Sequence, residues 1–172
     1  VKKALNPKKH KKHKLMYPLL EFAKLSKANQ NLVEEAEHDS TKQLEVGRLL
    51  IEERNEFPDN IKLGLEYIKC SVSQQNSDAI FYYVLHLLKG KIIKKDLLKA
   101  EEYLSKFSKT NDPRSFLLQG LLYRKKNRFK EAAKSFQEGT KLGESGCMYQ
   151  YGKMLFIGEG VRKNDKEAMN NI

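Results

Sequence analysis

Apolar residues recur along this chain in two interlocking sets of columns. Gly64, Ala100, Ala132 and Ala168 mark the first set, at separations of 36, 32 and 36 residues. Ile61, Leu97 and Phe129 stand three positions before the small residue, and Ile68, Leu104, Phe136 and Ile172 four after it. Ala79, Ser115 and Cys147 close the sixteen-residue blocks that begin at Gly64, Ala100 and Ala132. The second set precedes the first. Leu44, Phe81, Leu117 and Tyr149 align, then Gly47, Val84, Gly120 and Gly152, then Leu50, Leu87, Tyr123 and Leu155. Steps of three and four residues place each set on one face of a helix. The unit is therefore a helix A, a turn, a helix B and a turn. The pattern predicts helices over 41–54 and 59–72, 77–89 and 95–108, 113–126 and 128–140, then 145–157 and 164–172. Glycine inside a helix costs ~1 kcal/mol against alanine. A column of Gly and Ala is thus expected where two backbones come close, and Gly47, Val84, Gly120, Gly152, Gly64, Ala100, Ala132 and Ala168 are the candidate packing residues.

Start and stop signals agree with this division. Asp112 precedes Pro113 as an N-cap precedes a first-turn proline. Asp59-Asn60, Ser77-Asp78 and Asn164-Asp165 are similar starts, and Gly158 and Gly160 follow the last helix A, where a left-handed cap is easiest. The fold class that follows is all-α: an α/α solenoid of antiparallel helix pairs in about four repeats, wound as a right-handed superhelix. The repeats are read as 41–76, 77–112, 113–144 and 145–172.

The stretch Tyr151–Val161 carries Gly152, Leu155, Gly158 and Gly160, and Asp165 and Ala168 follow. This resembles the Sel-1-like repeat, whose motif has the form LGxxYxxGxGVxxDxxKA over about 36 residues, close to the tetratricopeptide unit of ~34. Leu87, Gly90, Ile93 and Lys99-Ala100 form a weaker copy, and Gly47, Asp59 and Gly64 a degenerate one. The third repeat, with Gly120, Tyr123, Phe129 and Ala132-Ala133, lacks the glycine loop and is four residues shorter, more like a tetratricopeptide. The resemblance covers residues 42–172. It implies a non-enzymatic scaffold or adaptor that binds other proteins, with a peptide or helix in its concave face. The alternative is a regulatory arm of a larger signalling or ubiquitin-pathway protein. The repeat brings no catalytic residue and no cofactor with it.

Residues 1–14 hold seven lysines and no acid, and are expected to be a basic disordered tail or linker. Residues 15–38 are expected to form one amphipathic helix, with Pro18 in its first turn, capping the first repeat. Glu34, Glu35, Glu37 and Asp39 argue against its lying on a membrane surface. The chain opens on Val1 and stops four residues past Ala168, which suggests a piece of a longer array. No apolar leader precedes the repeats, so a cytoplasmic location is expected.

Charge adds one feature. Lys and Arg number 33 against 22 acids, a net +11 in 172 residues; seven of the lysines lie in residues 1–14, and in the repeats the basic residues gather in the second to fourth A–B turns, whereas the first, with Glu52, Glu53, Glu56 and Asp59, is acidic. Lys89, Lys91, Lys94 and Lys95 belong to the second turn. Arg124, Lys125, Lys126, Arg128 and Lys130 belong to the third, and Arg162 and Lys163 to the fourth. Equivalent turns line one edge of a solenoid, so these residues are expected to form a basic rim. It serves either as a landing strip for an acidic partner segment or an anionic membrane surface, or merely as a solvated edge. The aromatics sit in core columns, which argues against nucleic acid. No phosphate loop, HExxH or GxSxG occurs. His86 is read as a packing or edge residue, Cys147 as buried and Cys70 as partly exposed.

Overall fold

The computed structural model describes residues 17–52 and 57–171. The expected tail at 1–14 lies outside the described residues, as does Ile172. Among the described residues the chain is helical with no strand. The elements are α1 (Leu19–Phe22), α2 (Lys27–Glu35), α3 (Ser40–Glu52), α4 (Ile61–Ser73), α5 (Ser77–Lys89), α6 (Leu97–Phe107), α7 (Arg114–Lys125), α8 (Phe129–Lys141), α9 (Ser145–Ile157) and α10 (Asp165–Asn171).

Short polar side chains start these helices by accepting from the first free amides. Asn60 Oδ1 accepts from the Leu63 amide at 3.0 Å, Asn76 Oδ1 from Ala79 at 3.0 Å, and Asp96 Oδ1 from Lys99 at 2.9 Å. Asn164 Oδ1 accepts from the Glu167 amide at 3.1 Å. Asn76, not Ser77-Asp78, is thus the cap of α5. Gly90 and Gly158 end α5 and α9 in the left-handed region, with φ of 70° and 76°.

The same hydrogen bond closes every A–B turn. The residue before helix B donates its amide to the carbonyl of the Leu50, Leu87, Tyr123 and Leu155 column. The bonds are Asn60 to Leu50 at 3.1 Å, Asp96 to Leu87 at 3.2 Å, Arg128 to Tyr123 at 2.9 Å and Asn164 to Leu155 at 3.0 Å. The third of these spans five residues, where the second and fourth span nine. The four residues missing from the third repeat are therefore missing from its A–B turn, and the helix pair around that turn keeps its register.

Helices α3, α5, α7 and α9 each pack on the next, while α4, α6 and α8 pack on their own helix A and on the following one. The A helices thus form the inner wall of the solenoid and the B helices the outer layer. Gly47 and Gly64 face each other across α3 and α4. A Cβ on Gly47 would lie 2.8 Å from the Gly64 carbonyl oxygen, and one on Gly64 2.7 Å from that of Gly47. Val84, Ala100, Ala132 and Ala168 have no exposed surface, and Gly120 and Gly152 are buried. The core is three apolar clusters strung along the array, around Tyr67, Leu87 and Phe136. Ala100→Leu and Ala132→Leu should each destabilise the fold by about 1–3 kcal/mol, because a side chain inserted at a helix contact forces its neighbours off their rotamers. Urea midpoints equal to wild type would contradict this.

Within the expected helix over 15–38, the described residues 17–38 are not one helix. Ser26 begins a new one, its hydroxyl accepting from the Asn29 amide at 3.4 Å, and Gln30 Nε2 donates to the carbonyls of Phe22 and Leu25 at 3.3 and 3.2 Å. Tyr17, Leu25, Val33 and Ala36 join Val46, Leu50, Phe57 and Tyr67 in the first core cluster. One straight helix would carry the two ends of this apolar set apart.

Candidate protein-interaction face

Helix packing decides what the inner wall presents. The small-residue column faces helix B, so the position after it points elsewhere: Arg48, Leu85, Leu121 and Lys153, one on each helix A. One turn further on stand Glu52, Lys89, Lys125 and Ile157. These two rows border two depressions. The first, about 700 Å3, lies between α3 and α5 and is closed by Arg114 of α7; Glu45, Arg48, Glu52, Asp78 and Tyr82 line it. The second, about 400 Å3, runs over α5, α7 and α9, with Leu85, Leu88, Leu121 and Phe129 as its apolar part and Lys89, Lys125 and Lys153 among its polar groups.

The first depression is internally neutralised. Arg114 Nη1 bonds Asp78 Oδ1 at 2.7 Å, and its Nε and Nη2 bond the Asp112 carboxylate at 2.6 to 3.1 Å. These bonds hold the Asp112 carboxyl below the ordinary carboxylate range. The guanidinium also lies 5.0 Å from the centre of the Phe81 ring. Arg114 thereby ties the second repeat to the third. Arg48 lies 5.6 Å from the Tyr82 ring centre and reaches Glu52 Oε1 at 3.5 Å. His86 lies against Tyr82 with ring centres 4.4 Å apart and planes tilted by 50°, and burial, more than the charge of Lys89, pushes its imidazole below the ordinary range. It is a packing residue at the edge of the wall.

The second depression has no carboxylate in its lining. Arg124 stands there, but its charge is met by Glu159, 3.0 Å away, and its Nη1 donates to Gln150 Oε1 at 3.1 Å. Lys89, Lys125 and Lys153 are exposed and carry no ion pair among the described residues. Lys153 lies 5.3 Å from the Tyr149 ring centre.

The residues of the expected basic rim divide into two sets. Lys126 pairs with Glu101 at 2.7 Å, Arg128 with Glu131 at 2.9 Å and Lys163 with Asp165 at 3.5 Å, alongside the Arg124–Glu159 pair. Lys89, Lys91, Lys94, Lys95, Lys125, Lys130 and Arg162 have no ion pair among the described residues. The third and fourth turns touch, since a Cβ on Gly160 would run into the Phe129 carbonyl oxygen. Turn charge therefore overstates the free charge, and the unpaired lysines extend inward along the A helices rather than only along the edge. The sequence reading omitted Leu85, Leu121 and Lys153. Their shared position next to the small-residue column was the available signal.

The two cysteines differ as their columns suggest. Cys147 has no exposed surface, its sulfur abuts Gly139, and burial pushes its thiol well above the ordinary range. Cys70 is partly exposed. A thiol reagent should modify Cys70 in the native protein and Cys147 only after unfolding, because the thiolate is the reactive form. Equal rates at the two sites would refute this.

Stacked helix pairs with the A helices on the inside define a helical-repeat solenoid. The particular solenoid is the Sel1-like repeat fold. A protective antigen of uropathogenic Escherichia coli strains, described as displaying an SLR fold, superposes on this chain with a TM-score of 0.66 at 19% identity over 83% of this chain and 31% of its own. A Sel1 repeat protein from Oxalobacter formigenes superposes with a TM-score of 0.64 at 19% identity over 90% of this chain and 67% of its own. The chain thus spans about a third of the length of the first. No family model and no curated protein matches the sequence. Among the described residues no helix is long and apolar enough to cross a membrane.

Proposed function

We propose that this chain is a non-enzymatic scaffold that holds another protein against the inner wall of its solenoid. The observation that carries the reading is the depression over α5, α7 and α9. Leu85 and Leu121 remain half-buried there, with unpaired lysines beside them. Apolar side chains ringed by polar groups on a concave surface are the usual composition of a protein-binding site. The Sel1-like repeat fold agrees with it, because stacked repeats build one extended curved surface.

The test is photo-crosslinking in extract of the source cells. A photoreactive amino acid at Leu121 should give discrete protein adducts. The same group at Leu98, 80% exposed on the outer helix α6, should give none beyond background. Equal adducts from both positions, or none from Leu121, would dispose of the inner wall as the binding face.

A further inference from the structure

We propose that the occupant of the inner groove over α5, α7 and α9 is an acidic amphipathic helix of a partner protein, lying across the A helices with carboxylates and bulky apolar residues each recurring at a seven-residue step from α5 to α7. The inference rests on the reading of the inner wall as a protein-binding face and names the chemistry of what it binds.

The geometry comes from the repeat. Lys89 and Lys125 hold equivalent places on α5 and α7, and Leu85 and Leu121 hold equivalent places one turn earlier. Packed helices stand ~8–10 Å apart. A helix rises ~1.5 Å per residue, so seven residues advance ~10.5 Å, which matches one step from helix A to helix A. A partner helix laid across the wall therefore meets a lysine once per heptad and a leucine once per heptad. The two rows are four residues apart on their own helices, a separation of ~6 Å. That lies within the width of one helix, ~10 Å with its side chains, so one partner reaches both rows. Its acidic and apolar stripes must run side by side.

Charge fixes the sign and the limits. No carboxylate lines this groove, and Lys89, Lys125 and Lys153 have no ion pair among the described residues, so an acidic segment is attracted to it and stays uncontested on arrival. The rows end differently. Toward the N-terminus Arg48 and Glu52 pair with each other, and Glu45 and Asp78 stand beside them. An acidic stripe continued over α3 would meet these carboxylates. Toward the C-terminus the order inverts: Lys153 takes the leucine row and Ile157, 60% exposed, takes the lysine row. The partner's stripes should exchange places over α9. This register separates a fitted helix from a merely acidic chain.

The test uses the whole chain and three fluorescent helical peptides in anisotropy titrations. The first carries Glu and Leu at heptad spacing, the second has the same residues scrambled, and the third has Lys for every Glu. The first should bind. The scrambled peptide should bind at least about tenfold more weakly, and the basic one not measurably. In the double variant Lys89→Glu, Lys125→Glu the first peptide should lose at least about tenfold in affinity and the basic peptide should gain. Both lysines are exposed, so circular dichroism should match wild type, and Lys153→Glu is a second variant should it not.

Equal binding of the first two peptides would leave bulk electrostatics only and overturn the proposal, as would an unchanged affinity in both the double and the single variant. Anionic vesicles bound by wild type and released by the double variant, with no peptide bound, would assign the groove to a membrane and also overturn it. Failure of every peptide alongside specific adducts from Leu121 would end the acidic-helix proposal and leave the scaffold reading standing.

Discussion

Gly64→Val should destabilise the protein by about 3 kcal/mol, the upper part of the usual range for overpacking. The new Cβ would lie 2.7 Å from the Gly47 carbonyl oxygen and 2.8 Å from Ile51 Cγ1. The first of these is backbone in a neighbouring helix, so relief requires α3 and α4 to move apart. Even Gly64→Ala should be destabilising, although alanine in a helix interior is intrinsically favoured by ~1 kcal/mol over glycine. Gly47→Ala should behave alike, with Ile68 Cγ1 at 2.7 Å and the Gly64 oxygen at 2.8 Å. Because repeats contact mainly their neighbours, the loss should fall on the N-terminal pair and broaden the unfolding transition rather than shift it uniformly. Gly143→Ala is the control: nothing lies within 4 Å of a Cβ there, and only its φ of 77° opposes the change. Urea unfolding that ranks Gly64→Val at or below Gly143→Ala would show that α3 and α4 do not depend on this contact.

What the sequence revealed of the fold followed from periodicity. The spans 77–89 and 145–157 coincide with α5 and α9, because Asn76 and Glu144 cap one end of each and left-handed glycines the other. The short third repeat was also legible as a length, and the turn bond to the Tyr123 carbonyl explains where the residues were lost. The N-terminal region misled for a physical reason. A break of a few residues between α1 and α2 leaves the 3.6-residue spacing of Phe22, Leu25 and Val33 nearly in phase, so one helix and two give almost the same pattern. Only the local capping of Ser26 distinguishes them, and a serine within a polar stretch is a weak signal. The apolar columns were not uniformly core either. Ile61 is 42% exposed at the start of α4, and Tyr149 is 49% exposed. Its equivalent Leu117 lies under Gly146 of the next helix A, where an added Cβ would come within 2.6 Å of it.

The candidate face was less legible than the fold. Lysines in the turns were visible as charge, but the acids that neutralise some of them are remote in sequence. Glu101 meets Lys126 from the preceding helix B, and Glu159 meets Arg124 from the following turn. Such pairs depend on how turns stack, which a charge count does not contain. Exposed pairs of this kind contribute about 0–1 kcal/mol each. Their consequence here lies in which charges they leave for a partner.

Phe136→Ala should cost about 3–5 kcal/mol, the range for deleting a fully buried aromatic ring. Phe136 has no exposed surface and sits under Gly120, so that ring and glycine share one space between α7 and α8. A Cβ on Gly120 would enter the ring, with Cδ1 and Cζ both at 2.6 Å. Here, unlike at Gly64, the obstruction is a side chain, and a smaller side chain should remove it. Gly120→Ala alone should destabilise by overpacking, and Phe136→Leu alone by leaving a cavity. Combined, the alanine methyl fills part of the space that leucine vacates. The double variant should then be more stable than the sum of the singles by about 0.5–3 kcal/mol. The parallel cycle of Gly47→Ala with Ile68→Ala should show little such recovery, because that change removes Ile68 Cγ1 but the Gly64 carbonyl oxygen, 2.8 Å from the new Cβ, still stands in the way. Additive energies in the first cycle would mean that ring and glycine do not share a contact, while equal recovery in both would mean that α3 and α4 can separate at little cost.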